Sequence, residues 1–372
     1  MRAPASSTIG VRLAAVAASL GVVLGSPYTG QIRGALQDAL PGQYRLVIGG
    51  IVASAVVAAL GGALVRIRER RATRYGLLLA AIGGGSLYAW ATATGNANVD
   101  LVERFHLVEY GVLTWLYYRI WHSRADVTSL VFPALAAFTV GICDEGMQWL
   151  VPARVGELRD ILLNGVSIGC GLLFSVALQP TAGARWMPDR RQRRALAAAA
   201  AGVIVLLAAF FHTVHLGHEI DDPQVGRFLS RYSAAELLSA ARDRTERWRS
   251  DPPRELRPAS IEDHYLAEGA WHVQRRNEVD DPRRVWHENL ILEKYFAPVI
   301  EFPTYATGAG AKWPEAQRAS AAAAASAGEG AGTYRSTANP YPIYTWSPVA
   351  FWSGIIAVVA ALAGLMLRTG KA

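Results

Sequence analysis

The chain has 372 residues, 52% hydrophobic and 18% charged, with a formal net charge of +7. Soluble domains carry roughly 25% charged residues, so the deficit points to membrane-spanning segments. The basic surplus excludes a nucleic-acid binder: Leu216–Trp346 holds 16 Lys/Arg against 19 Asp/Glu, and the excess of 21 over 11 lies beside the apolar runs, as the positive-inside rule places it.

A membrane span needs about 20 mostly apolar residues. The first candidate, Ile9–Leu24, is short and interrupted by Arg12. A basic start, an apolar centre and Leu24-Gly25-Ser26 also suit a signal peptide. Gln31–Leu40 reads as a short amphipathic segment ending at Pro41-Gly42. The second span, Tyr44–Val65, is followed by Arg66, Arg68, Arg70, Arg71 and Arg74, a cytoplasmic mark. The third, Tyr75–Ala93, carries Gly83-Gly84-Gly85, where a neighbouring helix can approach closely.

A polar connection with Asp100, Glu103 and Arg104 leads to the fourth span, His106–Trp121, which ends near Arg119 and Arg124. The fifth and sixth, Val127–Leu150 and Ile161–Leu178, flank a charged turn. Arg185 to Arg194 form another cytoplasmic loop before span seven, Ala195–Val214. Span eight, Val349–Leu367, returns the chain to a basic tail. These marks alternate as one topology requires, with both termini cytoplasmic.

The region 216–347 is long enough for a small domain and reads as a helical hairpin or bundle rather than a sheet. Ser233-Ala-Ala-Glu236 is a capping-box pattern, Ser260 to Asp263 opens a second helix, and Asp280-Asp281-Pro282 opens a third. Ala306–Gly332, rich in Ala and Gly, reads as a flexible connection or a long draped loop. Asn339–Trp346 is extended by its prolines, with aromatics suited to an interfacial belt. The tryptophans of the region 216–347 suit a core or a contact surface.

The fold class expected is therefore all-α: a polytopic membrane protein with about eight transmembrane helices and a small helical extracytoplasmic domain between helices seven and eight. The divisions are 1–93 for helices one to three, 94–181 for a core of helices four to six, and 182–215 for the basic loop and helix seven. The extracytoplasmic part is 216–347, and 348–372 forms the last helix and tail. A bacterial-type inner membrane is the expected location.

Ionisable residues at membrane helix ends are candidates for function. Glu145 and Gln148 share a helix face at i, i+3, and Asp160, Asn164, Ser167 and Gly171 share another at i, i+4, i+7 and i+11. A short turn makes these helices neighbours, small residues let their backbones close up, and Arg154 in the turn can reach Glu145 or Asp160. His106 and Tyr110 can present the same face from span four. Three readings stay open. The cluster is a paired network that fixes helix packing, a site for a lipid or envelope-precursor headgroup, or a catalytic site. In the last, His106 with Asp160 or Glu145 is an acid–base pair and Arg154 holds an anionic substrate.

These spacings, from Glu145 through Gln148, Arg154, Asp160 and Asn164 to Gly171, preceded by His106 and Tyr110, resemble the VanZ-like family of membrane proteins. The resemblance covers roughly residues 100–178. Glu103 stands where a lysine is common in that family, and Ser167 where a glycine is common. The resemblance implies a membrane protein of the cell envelope, in the broad setting of glycopeptide-antibiotic resistance, without implying a reaction.

No metal or cofactor is expected. Cys143 and Cys170 fall in apolar runs and suit neither zinc nor a disulfide framework. His212, His215 and His218 recur every third residue and read as a polar helix end, with a metal or proton-sensing role as the alternative. His264, His272 and His287 read as ordinary surface or core histidines. The function expected is non-enzymatic binding or stabilisation at the outer membrane face, as an accessory subunit, with membrane lipids and other membrane subunits as partners and no nucleic acid. The alternative is a protein that binds or modifies a lipid-linked or cell-wall precursor headgroup.

Overall fold

A computed structural model describes residues 5–95, 97–124, 126–151, 156–181, 188–256, 263–326, 334–339 and 341–368. The chain is mainly helical and divides into two compact units. The first comprises Met1–Met147, Gly156–Ala209 and Ser353–Ala372; the second comprises Gln148–Val155 and Phe210–Trp352.

Helices α1 (Ala5–Gly25), α2 (Thr29–Ala39), α3 (Tyr44–Arg66), α4 (Arg71–Ala91), α5 (Ala97–Trp121), α6 (Thr128–Trp149), α7 (Leu158–Leu178) and α8 (Arg190–His215) follow one another. A single 3-10 turn, Ser26–Tyr28, joins α1 to α2. After the polar region comes α14 (Pro348–Arg368). Among the described residues six stretches are long and apolar enough to cross a membrane: Ile9–Ala39, Tyr44–Arg66, Thr128–Trp149, Leu158–Leu178, Arg190–His215 and Pro348–Met366. This is the make-up of a multi-pass membrane protein.

The third and fourth expected spans, in α4 and α5, are not among the six. The first turn of α4 carries Arg71 and Arg74, and α5 carries Asp100, Glu103, Arg104 and Glu109. The expected polar connection at Asp100–Arg104 is itself helical. Asp100 begins this stretch by accepting hydrogen bonds from the Thr94 backbone N–H and hydroxyl, both at 2.8 Å.

Within the first unit α7 is central. It packs against α4 and α5, while α1 and α3 pack against α5. Its apolar window is 44% buried, against 6% for α3 and 0% for α14, whose apolar faces are left for lipid. Arg74 on α4 caps α7: Nε and Nη2 donate to the carbonyls of Ala177 and Leu178 at 2.6 and 2.7 Å. A cation at a helix C-terminus satisfies carbonyls that the helix itself leaves unpaired.

The second unit contains a hairpin of β1 (His218–Asp222) and β2 (Gly226–Ser230), antiparallel with His218 opposite Ser230. The polar region is thus not purely helical, as its sequence pattern had suggested. These strands are five residues long and turn inward few large apolar side chains, chiefly Ile220 and Phe228, too few to show a clear period of two. Gly226 closes the turn at φ +107°, and a Cβ there would lie 2.7 Å from the Tyr334 carbonyl.

Four helices follow, α9 (Ala234–Trp248), α10 (Asp263–Glu278), α11 (Pro282–Tyr295) and α12 (Ala297–Glu301). Ser233 and Glu236 form the reciprocal capping box, and Asp281 accepts from the Arg283 and Arg284 backbones. Helices and hairpin share one core, including Phe228, Leu237, Tyr265, Leu266, Ile291 and Phe296.

Part of the Ala-rich stretch forms α13 (Glu315–Ser326) rather than a loop. Alanine has the highest helix propensity, and Arg318 pins the helix to Glu293 through Nε at 2.7 Å. Tyr344 runs extended, exchanging backbone hydrogen bonds with His215 and Gly217.

Candidate functional site

The chemistry-bearing face of α7 is buried. Asn164, Ser167 and Gly171 are all closed from solvent, and Asp160 is partly buried near the helix start. The Ser167 hydroxyl bonds back to the Leu163 carbonyl at 2.8 Å, a local bond that spares it a partner across the bundle.

The closest backbone approach of this face is to α5, not to α6. A Cβ on Gly171 would lie 3.0 Å from Gly111 Cα and 3.0 Å from Thr114 Cβ. Helices α6 and α7 meet instead through side chains. A Cβ on Gly141 would lie 3.2 Å from the Asn164 amide and 3.3 Å from the Tyr110 ring. Small residues therefore set the spacing in this seam, because without a Cβ backbones approach closely and dispersion contacts multiply.

Tyr110 on α5 is fully buried, and its hydroxyl donates to Asp144 Oδ2 at 2.9 Å. The Asp144 carbonyl lies 3.4 Å from the Ser26 hydroxyl. Asp144, adjacent to Glu145 in the sequence, is thus the direct partner of Tyr110, a role that spacing alone did not assign to it. The signal was there: an acidic residue inside an apolar run needs a donor.

Glu145 is fully buried and accepts from the Glu157 backbone N–H at 3.3 Å, tying α6 to the start of α7. Gln148 is also buried, one turn further along α6. His106 pairs with Glu109 on its own helix, Nδ1 to Oε2 3.5 Å, and Asp144 and Asp160 act on it electrostatically. Arg154 lies outside the described residues. Asn164, with no solvent exposure, has neither amide atom in a hydrogen bond.

The structure therefore brings Tyr110, Asp144 and Asn164 together, with Glu145 bracing the start of α7. It sets His106 against Glu109 rather than in a bonded acid–base pair with Asp160 or Glu145. Among the described residues no three His, Cys, Asp or Glu converge in an arrangement that could hold a metal ion. Cys143 and Cys170 are both free.

The histidines of the second unit divide by environment. His215 is buried, with Nδ1 2.9 Å from the Pro342 carbonyl, while His218 opens β1 and lies against a cleft. His212 sits among Phe351 and Trp352. His287 stacks on Tyr334 and reaches the Val225 carbonyl.

His272 pairs with Glu288, Nδ1 to Oε2 2.6 Å, and Glu288 Oε1 also accepts from Tyr334 and Ser336 at 2.6 and 2.5 Å. Burial alone would raise the Glu288 carboxyl, but the bonds from His272, Ser336 and Tyr334 outweigh it and hold it below the ordinary range. His264 shows the opposite balance. Burial, with help from the Arg231 charge, pushes it down to about 4, so it is neutral at pH 7.

No protein-family model and no solved structure matches the chain.

Proposed function

We propose that this is a VanZ-like membrane protein with a non-enzymatic binding or structural role at the outer face of the membrane. It is an accessory or stabilising subunit of a larger membrane complex. In this reading α4 and α5 also cross the bilayer, giving eight spans with both termini cytoplasmic, and the second unit stands extracytoplasmic as the docking element. The membrane is the bacterial-type inner membrane.

One observation carries the structural half of the reading. Of the residues that spacing singled out, Tyr110, Glu145, Gln148 and Asn164 are buried, and in this seam Tyr110 bonds Asp144 and Glu145 accepts from the Glu157 backbone N–H. Gly171 there leaves no room for a side chain. Such a network fixes how three helices pack, since an unpaired charge at membrane depth is costly. The docking half is supported by the second unit's own core and by its helical arm, α13.

Purification in mild detergent tests the docking half. A larger complex of defined stoichiometry is expected, lost when residues 216–347 are deleted. A clean monomer, with every membrane complex intact after the deletion, would sink it.

A second reading is favoured by the unpartnered Asn164 amide: the cluster binds a lipid-linked or cell-wall precursor headgroup. Asp160→Asn and His106→Ala separate the two. Loss of an envelope phenotype at normal protein abundance supports headgroup binding, and failure to accumulate supports packing.

A further inference from the structure

A second group of buried polar side chains lies in the Phe210–Trp352 unit and its companion segment, around Arg231. This residue follows β2, and its guanidinium lies over the Trp149 ring, 4.8 Å from the centroid. His264 also stacks on the Trp149 indole, ring centroids 4.4 Å apart. Tyr341 lies beside the guanidinium, which acts on its hydroxyl, and meets His215 edge-on at 6.1 Å.

Each of these residues keeps a polar atom that is sealed from solvent and makes no well-formed hydrogen bond: Arg231 Nη1, Trp149 Nε1, Tyr341 Oη, His215 Nε2 and His264 Nε2. Three of them, His215, His264 and Tyr341, are themselves at least 96% buried. A buried polar group left unsatisfied is destabilising, so four such groups beside one cation form a costly constellation. Packing alone does not account for it.

The chemistry of the set is defined. Arg231, Trp149 and Tyr341 offer N–H and O–H donors, and the first adds a positive charge. His215 Nδ1 faces the Pro342 carbonyl, which only accepts, so the proton sits there and Nε2 is a bare acceptor. Glu268 is the nearby carboxylate, but its oxygens are taken by the Ser230 hydroxyl and the Arg231 backbone N–H. Among the described residues no carboxylate forms an ion pair with the Arg231 guanidinium. Burial also raises the Glu268 carboxyl, weakening its counter-charge.

A cation with neutral donors and a bare imidazole nitrogen on each of His215 and His264 beside it matches an oxyanion that carries a hydroxyl nearby. Placement names its source. Trp149 and His215 are the last residues of α6 and α8, two helices long and apolar enough to cross a membrane. Lipid phosphates lie at the ends of such helices.

We propose that Arg231, Trp149 and Tyr341 hold the phosphate of a membrane lipid, with His215 accepting from a headgroup hydroxyl. The site is separate from the polar cluster of the α5–α7 seam, none of whose residues it uses.

Isothermal titration of the full chain in detergent tests it, with dihexanoyl phosphatidylglycerol, dihexanoyl glycerol and inorganic phosphate as probes. The phosphatidylglycerol is expected to bind, the phosphate-free lipid not to bind, and inorganic phosphate to compete only weakly. Trp149→Phe keeps the ring under Arg231 but removes the indole N–H, and Tyr341→Phe removes only the hydroxyl. Each should weaken binding about tenfold, and Arg231→Gln should abolish it. Inorganic phosphate binding as tightly as the lipid would overturn the lipid assignment. Equal binding by wild type, Trp149→Phe and Tyr341→Phe, or no binding by wild type, would overturn the site itself.

Discussion

Replacing Glu288 by alanine should be among the most damaging single changes in the second unit. Its carboxylate has no solvent exposure and accepts from three donors, His272 at 2.6 Å, Tyr334 at 2.6 Å and Ser336 at 2.5 Å. Removing it strands all three, and His272 and Ser336 are themselves buried. Breaking a buried pair by deleting one partner costs ~3–5 kcal/mol, a large part of the roughly 5–15 kcal/mol that holds a domain folded.

Glu288→Gln keeps the shape and one acceptor oxygen for Tyr334 and Ser336, so it should cost less, ~1–3 kcal/mol. Pulse proteolysis of the full chain across a urea series, scoring cleavage inside Phe210–Trp352, reads this directly. With a slope of ~2 kcal/mol per molar urea, the alanine variant should lower the midpoint by about 2 M.

The same residue sets an acid limb. Its folded carboxyl is held below the ordinary range, so the unfolded state takes up the proton first as pH falls. The stability it contributes is therefore fully present above the unfolded value of about 4.3 and is lost as pH falls through the folded value. Glu288→Gln should flatten that limb. Midpoints within ~0.3 M of wild type for both variants, together with an unchanged acid limb, would refute the role given to this network.

Three further outcomes are expected. Gly171→Val should destabilise the first unit by ~1–3 kcal/mol through overpacking against Gly111 and Thr114, whereas Gly169→Ala, with nothing within 4 Å, should be tolerated; detergent melting curves compare the two. Arg74→Met removes two charge-assisted bonds to the end of α7 and should cost ~1.5–3 kcal/mol, with faster amide exchange near Leu178 as the local readout. Burial would raise the Asp222 carboxyl, but Lys294 and Tyr295 hold it at about 2. Its contribution therefore fades between about pH 4 and pH 2, and Asp222→Asn should remove that part of the acid titration of unfolding.

The apolar runs by themselves determined that this is a helical, multi-pass membrane chain, because about 20 apolar residues in a row leave few other options. Local capping chemistry was equally legible. Ser233 with Glu236 and Asp281 before Pro282 act within one turn, so no distant residue decides them. Even so, helix propensity carried α13 through a stretch that composition alone had marked as a loop.

What lay beyond the sequence depends on which faces meet. Spacing put Asp160, Asn164, Ser167 and Gly171 on one side of α7, but only packing showed that Gly171 closes against Gly111 of α5 rather than against α6. Asp144 and Glu145 are neighbours in sequence with different partners, Tyr110 and the start of α7, because adjacent helical residues point about 100° apart.

The strands β1 and β2 were too short to show a period, and their pairing rests on a turn that Gly226 permits. The Arg231 site draws on residues from Trp149 to Tyr341. No local pattern spans that distance; it arises only when separate segments fold together around the Arg231 guanidinium.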